Sequence, residues 1–295
     1  MPAVRVEERR VTSSDGAEIA YHVVGEGLPV LLANGLGGSW KAWQHQIAYF
    51  ADRYRFLSWD YRGLYRSPSP PDPGALTVEH HASDALAILD AEHVERAALF
   101  GWSMGVQVGL ELFRRAPDRV AALALINGVA GHPWQTVMGL PAMGHVIPKL
   151  IHVLRRVPGI AQSVTRQVVS WPETVTWAKR VGLAGRTLDE EVWAELAASF
   201  SDIDMAVYMH LLDLLGEHDA SDVLAHVDVP TLIIAGDRDL FTPRSAAEEM
   251  ARQIAGAELL IVPGGTHYVA VEYPELVNLR IEKFFRERGW ARDGA

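Results

Sequence analysis

Short apolar runs alternate with helix-patterned stretches along most of this chain, and that rhythm excludes most architectures. Runs suited to strands lie near residues 4–12, 17–24, 29–33, 54–59, 97–102 and 121–126, with helical spacing between the later ones. Parallel strands need long crossovers, which helices supply, so the alternation predicts an α/β protein with a mostly parallel, doubly wound sheet. Asp15-Gly16 predicts a hairpin-like antiparallel pair at one edge. After Asn127-Gly128 the rhythm stops. Residues 130–222 offer only helix-like segments rich in Trp, Met, Leu and Val, punctuated by Pro133, Pro141, Pro148, Pro158 and Pro172. Alternation resumes at Pro230 with Thr231 to Ala235, then Leu259 to Val262. The expected organisation is a core of residues 1–129 and 223–295, with residues 130–222 inserted as a helical cap over the carboxyl ends of the strands, where open α/β sheets bind ligands.

Within that scaffold, Gly101-Trp102-Ser103-Met104-Gly105 stands where the run Ala97-Ala98-Leu99-Phe100 ends and a helical pattern of Val106, Leu110 and Phe113 begins. A serine on a sharp strand-to-helix turn sits in a strained backbone, and neighbours without a Cβ let the turn close and a substrate approach. Ser103 is the candidate nucleophile. Its hydroxyl is weakly nucleophilic at neutral pH and needs a base, with a carboxylate to orient that base. His267 lies in Pro263-Gly264-Gly265-Thr266-His267-Tyr268, after the run ending at Val262, and Asp239 follows Thr231 to Ala235 in Gly236-Asp237-Arg238-Asp239. Both stand at the carboxyl ends of expected strands. The order serine, acid, histidine is that of one fold among the serine hydrolases.

These residues carry a resemblance to the α/β-hydrolase fold superfamily that covers nearly the whole chain. Asn34-Gly35-Leu36-Gly37-Gly38 resembles the family's His-Gly-x-Gly oxyanion loop, and the segment from Asp60 to Ser67 resembles its Asp-x-Arg-Gly-x-Gly-x-Ser loop. Gly236-x-x-Asp239 and Gly265-x-His267 resemble the loops that carry the acid and the base. The resemblance implies Ser103, Asp239 and His267 as catalytic residues, with the backbone N–H groups of Leu36 and Met104 as the oxyanion hole. Asp237 is the rival acid. Asp239 fits the family spacing, three residues after the glycine, while Arg238 offers Asp237 an ordinary surface ion pair. Two positions depart from the pattern: Asn34 replaces a histidine, and the second glycine of the arginine loop is Leu64 or Tyr65, depending on alignment. Asn-Gly there resembles enol-lactone hydrolases and some esterases; an asparagine in a left-handed turn is the competing explanation. Arg62 reads as a clamp on its own loop.

Haloalkane dehalogenases and epoxide hydrolases of this superfamily use an aspartate at the elbow, so Ser103 argues against both and favours attack on a carbonyl. The expected activity is hydrolysis of small to medium apolar carboxylic esters through an acyl-enzyme on Ser103. An enol-lactone hydrolase, a thioesterase, a perhydrolase and a carbon-carbon bond hydrolase are alternatives on the same scaffold. A slow-turnover ligand receptor that keeps the three residues is an alternative from another class. Trp134, Met138, Met143, Trp171, Trp177, Trp193, Phe200, Met205 and Tyr208 make the cap segment aromatic and Met-rich. That suits an apolar ester or lactone, although most of them are expected to pack the cap itself.

Charge and residue usage narrow the partners. A formal charge of -10 with a pI near 5.6 speaks against nucleic-acid or anionic-membrane partners, which need a basic surface. With no cysteine, disulfides, thiolate metal sites and cysteine nucleophiles are excluded. His80-His81, His145 and His152 lack metal-site spacing and are expected to be solvated or capping, and the glycine stretches lack phosphate-loop and dinucleotide patterns. Neither a metal nor an organic cofactor is expected. Residues 1–10 lack the apolar core of a secretory signal and no apolar run approaches a membrane span, so the expected location is cytoplasmic.

Overall fold

The computed structural model describes residues 5–171 and 173–291; Val4, at the head of the first expected strand, and Pro172 lie outside them. Eight strands form one sheet: β1 (Val6–Thr12), β2 (Glu18–Val24), β3 (Leu28–Ala33), β4 (Tyr54–Trp59), β5 (Ala97–Trp102), β6 (Val120–Ile126), β7 (Thr231–Gly236) and β8 (Glu258–Val262). Their order is β1-β2-β4-β3-β5-β6-β7-β8. β2 runs antiparallel to both β1 and β4, and every other pairing is parallel. Gly16, at φ +89°, makes the β1–β2 turn that the Asp15-Gly16 pair predicts.

Alternation along the strands explains why their sequences read as almost unbroken apolar runs. Leu31, Leu57, Leu99 and Leu123 face one helical layer, and Val30, Phe56, Ala98 and Phe100 face the other, so both sides of the sheet are covered. The first layer contains α2 (Val78–Ala91), α3 (Met104–Arg115) and α9 (Arg244–Gln253); the second contains α1 (Gln44–Phe50), α10 (Val269–Glu272) and α11 (Pro274–Glu287). Between β6 and β7 lie α4 (Met143–Leu154), α5 (Pro158–Ser170), α6 (Thr174–Val181), α7 (Glu190–Ser201) and α8 (Met205–Glu217), with no strand among the described residues of that stretch. Asp189 and Asp204 start α7 and α8 by accepting main-chain N–H groups of the first turn. Pro158 opens α5, where its missing N–H costs nothing. Pro148 departs from the expected punctuation: it is the sixth of the twelve residues of α4, where it cannot donate to the Gly144 carbonyl and its ring crowds that carbonyl.

The loop after β4 is held from beneath. The buried Arg62 guanidinium donates to Asp84 through Nε (2.9 Å) and Nη2 (2.6 Å), and to Asp15, Ser13 and the Ala75 carbonyl. It therefore ties the loop to the β1–β2 turn and to α2. Tyr65, at φ +51°, lies in the left-handed region that favours glycine while Leu64 does not, which favours Tyr65 as the position of the pattern's second glycine. His81 corrects an expectation: it is neither solvated nor a cap but fully buried, its ring 4.4 Å from that of Tyr61. Position 81 falls on the inward stripe of α2 with Ala85 and Ile88. His80, by contrast, meets the Thr77 hydroxyl at the head of α2 through Nδ1 (2.9 Å).

Candidate active site

Ser103 occupies a backbone conformation that side chains seldom adopt, φ 56° and ψ -118°, between the end of β5 and the first turn of α3. Its own N–H donates to the Ile126 carbonyl (3.0 Å). The flanking glycines make that turn possible. A Cβ on Gly105 would sit 2.0 Å from the Ala33 carbonyl oxygen, and one on Gly101 would sit 2.4 Å from that of Gly105. Neither backbone could yield, so the main chains pack closely and Ser103 stands just past the carboxyl end of β5.

The parallel order β5-β6-β7-β8 sets the loops after these strands side by side, although their sequences are far apart. Ser103 Oγ lies 2.9 Å from His267 Nε2, and His267 Nδ1 lies 2.8 Å from Asp239 Oδ2. The structure thus brings the three residues together. Asp239 is buried, and its carboxylate accepts from the N–H groups of Phe241 (2.8 Å) and Thr242 (3.0 Å), the Thr242 hydroxyl (2.6 Å) and Asn127 Nδ2 (2.5 Å). Burial pushes this carboxyl up, but His267 and the Asn127 and Thr242 donors outweigh burial and hold it below the ordinary aspartate value. A buried, ionised carboxylate beside Nδ1 fixes the imidazole so that Nε2 can accept the serine proton.

Asp237 does not join this arrangement. Its carboxylate accepts the Gly264 N–H (2.6 Å), and among the described residues it forms no ion pair with Arg238, contrary to expectation. The cause is the register: Gly236 lies beside Val262, which brings the turn after β8 within reach.

Leu36 and Met104 both line a cavity beside Ser103, and among the described residues their backbone N–H groups donate to no protein acceptor. Met104 is the first residue of α3, whose N–H has no partner within the helix and where the helix dipole favours negative charge. The Leu36 loop is held by Asn34, which is buried and not in a left-handed conformation, so the turn explanation fails. Asn34 Nδ2 donates to the Trp59 carbonyl (3.0 Å) and to Ser58 Oγ (3.2 Å), its Oδ1 accepts from Trp43 Nε1 (2.9 Å), and Tyr61 donates to its main-chain oxygen (2.7 Å). These bonds brace the loop against β4.

The cavity has a volume of about 210 Å³, and its walls are mostly apolar, with Trp102, Val129, Leu212 and Leu215 among them. Of the nine aromatic and Met residues singled out between β6 and β7, only Trp134 and Tyr208 line it. Phe200 packs edge-on against Tyr208 and Trp193 against Tyr268, Met205 is buried, and Met138, Trp171 and Trp177 are exposed.

Sequence reasoning missed three supporting residues. Asn127 donates to Asp239 and to the Thr266 carbonyl, and Thr242 closes the far side of the carboxylate. Glu272 accepts from the Thr266 N–H (2.8 Å), the Thr266 hydroxyl and the Gly185 N–H (2.6 Å), coupling the His267 loop to the segment between α6 and α7. Asn127 had one readable signal: it is a polar residue at the carboxyl end of the strand between those of Ser103 and Asp239.

Comparison with known proteins agrees with this fold. The model of the α/β hydrolase fold family matches residues 29–274. A protein of Azorhizobium caulinodans named as a candidate carbamate hydrolase, RutD, is 28% identical over 262 residues, covering 89% of this chain and 92% of its own. Among solved structures, a hydrolase from Pseudomonas aeruginosa superposes with a TM-score of 0.74 at 26% identity, over 95% of this chain and 98% of that one. The enol-lactonase from Burkholderia xenovorans gives a TM-score of 0.77 at 25% identity, over 94% of this chain and 100% of that one.

Proposed function

The chain belongs to the α/β-hydrolase fold family, and from that premise we propose that it is a serine hydrolase that cleaves carboxylic esters of small to medium apolar substrates. The observation that carries the reading is the continuous hydrogen-bonded path from Ser103 through His267 to Asp239.

In this reaction His267 Nε2 takes the Ser103 proton as Oγ attacks the ester carbonyl, and the carbonyl electron pair moves onto oxygen. The N–H groups of Leu36 and Met104 bind that oxyanion, and Asp239 stabilises the imidazolium. Collapse of the tetrahedral intermediate expels the alcohol, which receives the proton from His267 and leaves an acyl group on Ser103. Water then gives its proton to His267 and attacks the acyl carbon. Collapse releases the acid and returns the proton to Oγ. Each oxyanion donor is worth on the order of 100 to 1,000-fold in rate. The helices α4 to α8 act as the cap over this site.

Cavity size favours modest substrates. An apolar cavity of about 150 Å³ holds a benzene molecule, so 210 Å³ accommodates roughly eight to ten heavy atoms. Carbamate cleavage is a second reading, favoured by the names of the relatives, and it uses the same attack on a carbonyl. Lactone opening is a third, favoured by the enol-lactonase.

A series of p-nitrophenyl acyl esters, with a lactone and an N-alkyl carbamate alongside, tests the proposal in wild type and Ser103→Ala. Ester turnover that falls about 10⁶-fold in the variant supports it. Turnover confined to lactone or carbamate moves the assignment to that substrate, and tight binding with negligible turnover moves it to a receptor. Undiminished ester turnover in Ser103→Ala overturns the mechanism.

A further inference from the structure

The acidity of the whole chain conceals a basic, apolar segment. Residues 130–186 contain seven of the 27 Lys and Arg but only one, Glu173, of the 37 Asp and Glu. Among the described residues, twelve of the 17 large hydrophobic residues that are exposed lie within residues 138–181, so their exposure is concentrated and unlike the single scattered apolar residues of an ordinary surface. On α4 they are Val146, Leu150 and Val153, and on α5 Ile160, Val164 and Val168, each 46–61% exposed. Steps of three and four residues place each set on one side of its helix. The inward sides are held by Ile151 and Ala161, which are buried, so the outward stripes are second apolar faces. Trp171 and Trp177 are half exposed beyond them.

Cations accompany these stripes. Arg155 pairs with Asp213, and Lys179 with Glu190 (2.6 Å), but Lys149, Arg156, Arg166 and Arg180 are exposed and have no carboxylate partner among the described residues. Exposed apolar stripes, tryptophans and unpaired cations on one set of helices are the combination that seats a helix in the headgroup region of a bilayer.

We propose that α4, α5 and α6 form a docking face for an anionic lipid surface, lying in its interface without crossing it. Among the described residues no single helix is long and apolar enough to span a membrane. A second copy of the chain fits less well, because a two-fold interface would oppose the unpaired cations of both copies with only Glu173 from each to answer them. α4 also packs against Pro133–Gln135, whose Pro133 and Trp134 line the cavity, so docking would set the cavity wall near the lipid. The inference concerns binding and stands whether or not the ester reading does.

Cosedimentation of the full chain with vesicles tests it, using phosphatidylcholine alone and phosphatidylcholine with about 30 mol% phosphatidylglycerol, at low and about 0.5 M salt. Wild type is expected to bind the anionic vesicles, to ignore the neutral ones, and to be released by salt. Neutralising one surface cation weakens such binding about fivefold, so Lys149→Gln with Arg156→Gln should weaken it roughly 25-fold. Val164→Asp with Val168→Asp should abolish it, while both double variants keep wild-type hydrolysis of a water-soluble substrate and the wild-type thermal midpoint. The salt arm needs no variant and covers the case in which one fails to fold. Wild type left in the supernatant with anionic vesicles overturns the proposal, as do folded variants that bind like wild type. A dimer in sedimentation velocity that Val164→Asp dissolves, without vesicle binding, assigns the face to a second copy and also overturns it.

Discussion

Replacing Asp239 by asparagine leaves its size unchanged but presents the site with a choice it cannot satisfy. The carboxylate accepts two backbone N–H groups on Oδ1, and His267 Nδ1, Asn127 Nδ2 and the Thr242 hydroxyl on Oδ2. An amide has one accepting oxygen. If that oxygen stays toward His267, the NH₂ group faces the N–H groups of Phe241 and Thr242, and one part-buried and one buried donor lose their acceptor at roughly 1–3 kcal/mol each. If it turns toward the backbone, the NH₂ group faces His267 and favours the wrong tautomer, which in a comparable serine enzyme lowers kcat about 10⁴-fold. Asp239→Asn should therefore lose either about 2–6 kcal/mol of stability or about four orders of magnitude in rate. Urea unfolding and p-nitrophenyl butyrate turnover, run on the same preparation, separate the two outcomes. Asp237→Asn is the control, because an amide oxygen can still accept the Gly264 N–H, and its turnover should stay within about threefold of wild type. An Asp239→Asn protein of unchanged stability and turnover, or an equal loss of turnover in Asp237→Asn, would refute the assignment of the acid.

Burial pushes the Asp60 carboxyl up to about 7, against the smaller opposing effect of the Arg66 N–H that it accepts. A folded-state value above the unfolded one means that the native protein binds the extra proton, so stability is lost as pH rises from about 4 to 7 and stays lost above. Asp60→Asn keeps an acceptor for that N–H and should gain up to about 4 kcal/mol at pH 8 and little at pH 4; equal gains in denaturant unfolding at the two pH values would contradict this. Arg62→Ala leaves Asp84 buried without its guanidinium and should cost about 3–5 kcal/mol, so a urea-measured loss below about 1 kcal/mol would show that the clamp is dispensable. Gly105→Ala forces a Cβ onto the Ala33 carbonyl and should either prevent soluble expression or cost about 1–3 kcal/mol; a wild-type melting temperature would mean that the elbow backbone moves freely.

The fold and the three central side chains were legible because each depends on local chemistry. Apolar runs of strand length separated by helical spacing specify a covered parallel sheet, and glycines around Ser103 mark a turn that closes only without side chains. The supporting residues were not legible, because their meaning depends on neighbours distant in sequence. Asn34 looked like a turn former until Trp43, Ser58 and Trp59 surrounded it. Glu272 carries no signal in the sequence, and its part emerges only where Thr266 and Gly185 donate to it. Asp237 read as a partner for Arg238, and the Gly264 N–H reaches it only because β8 lies beside β7.

Sequence alone therefore determined the elements, their order and the candidate chemistry, since periodicity and backbone preference act over a few residues. Tertiary structure decided what the second aspartate, Asp237, meets, which aromatic residues face the cavity, and which side of α4 and α5 remains in water. Those outcomes rest on strand order and packing, and the same amphipathic helix can turn either apolar stripe inward until a neighbour covers one of them.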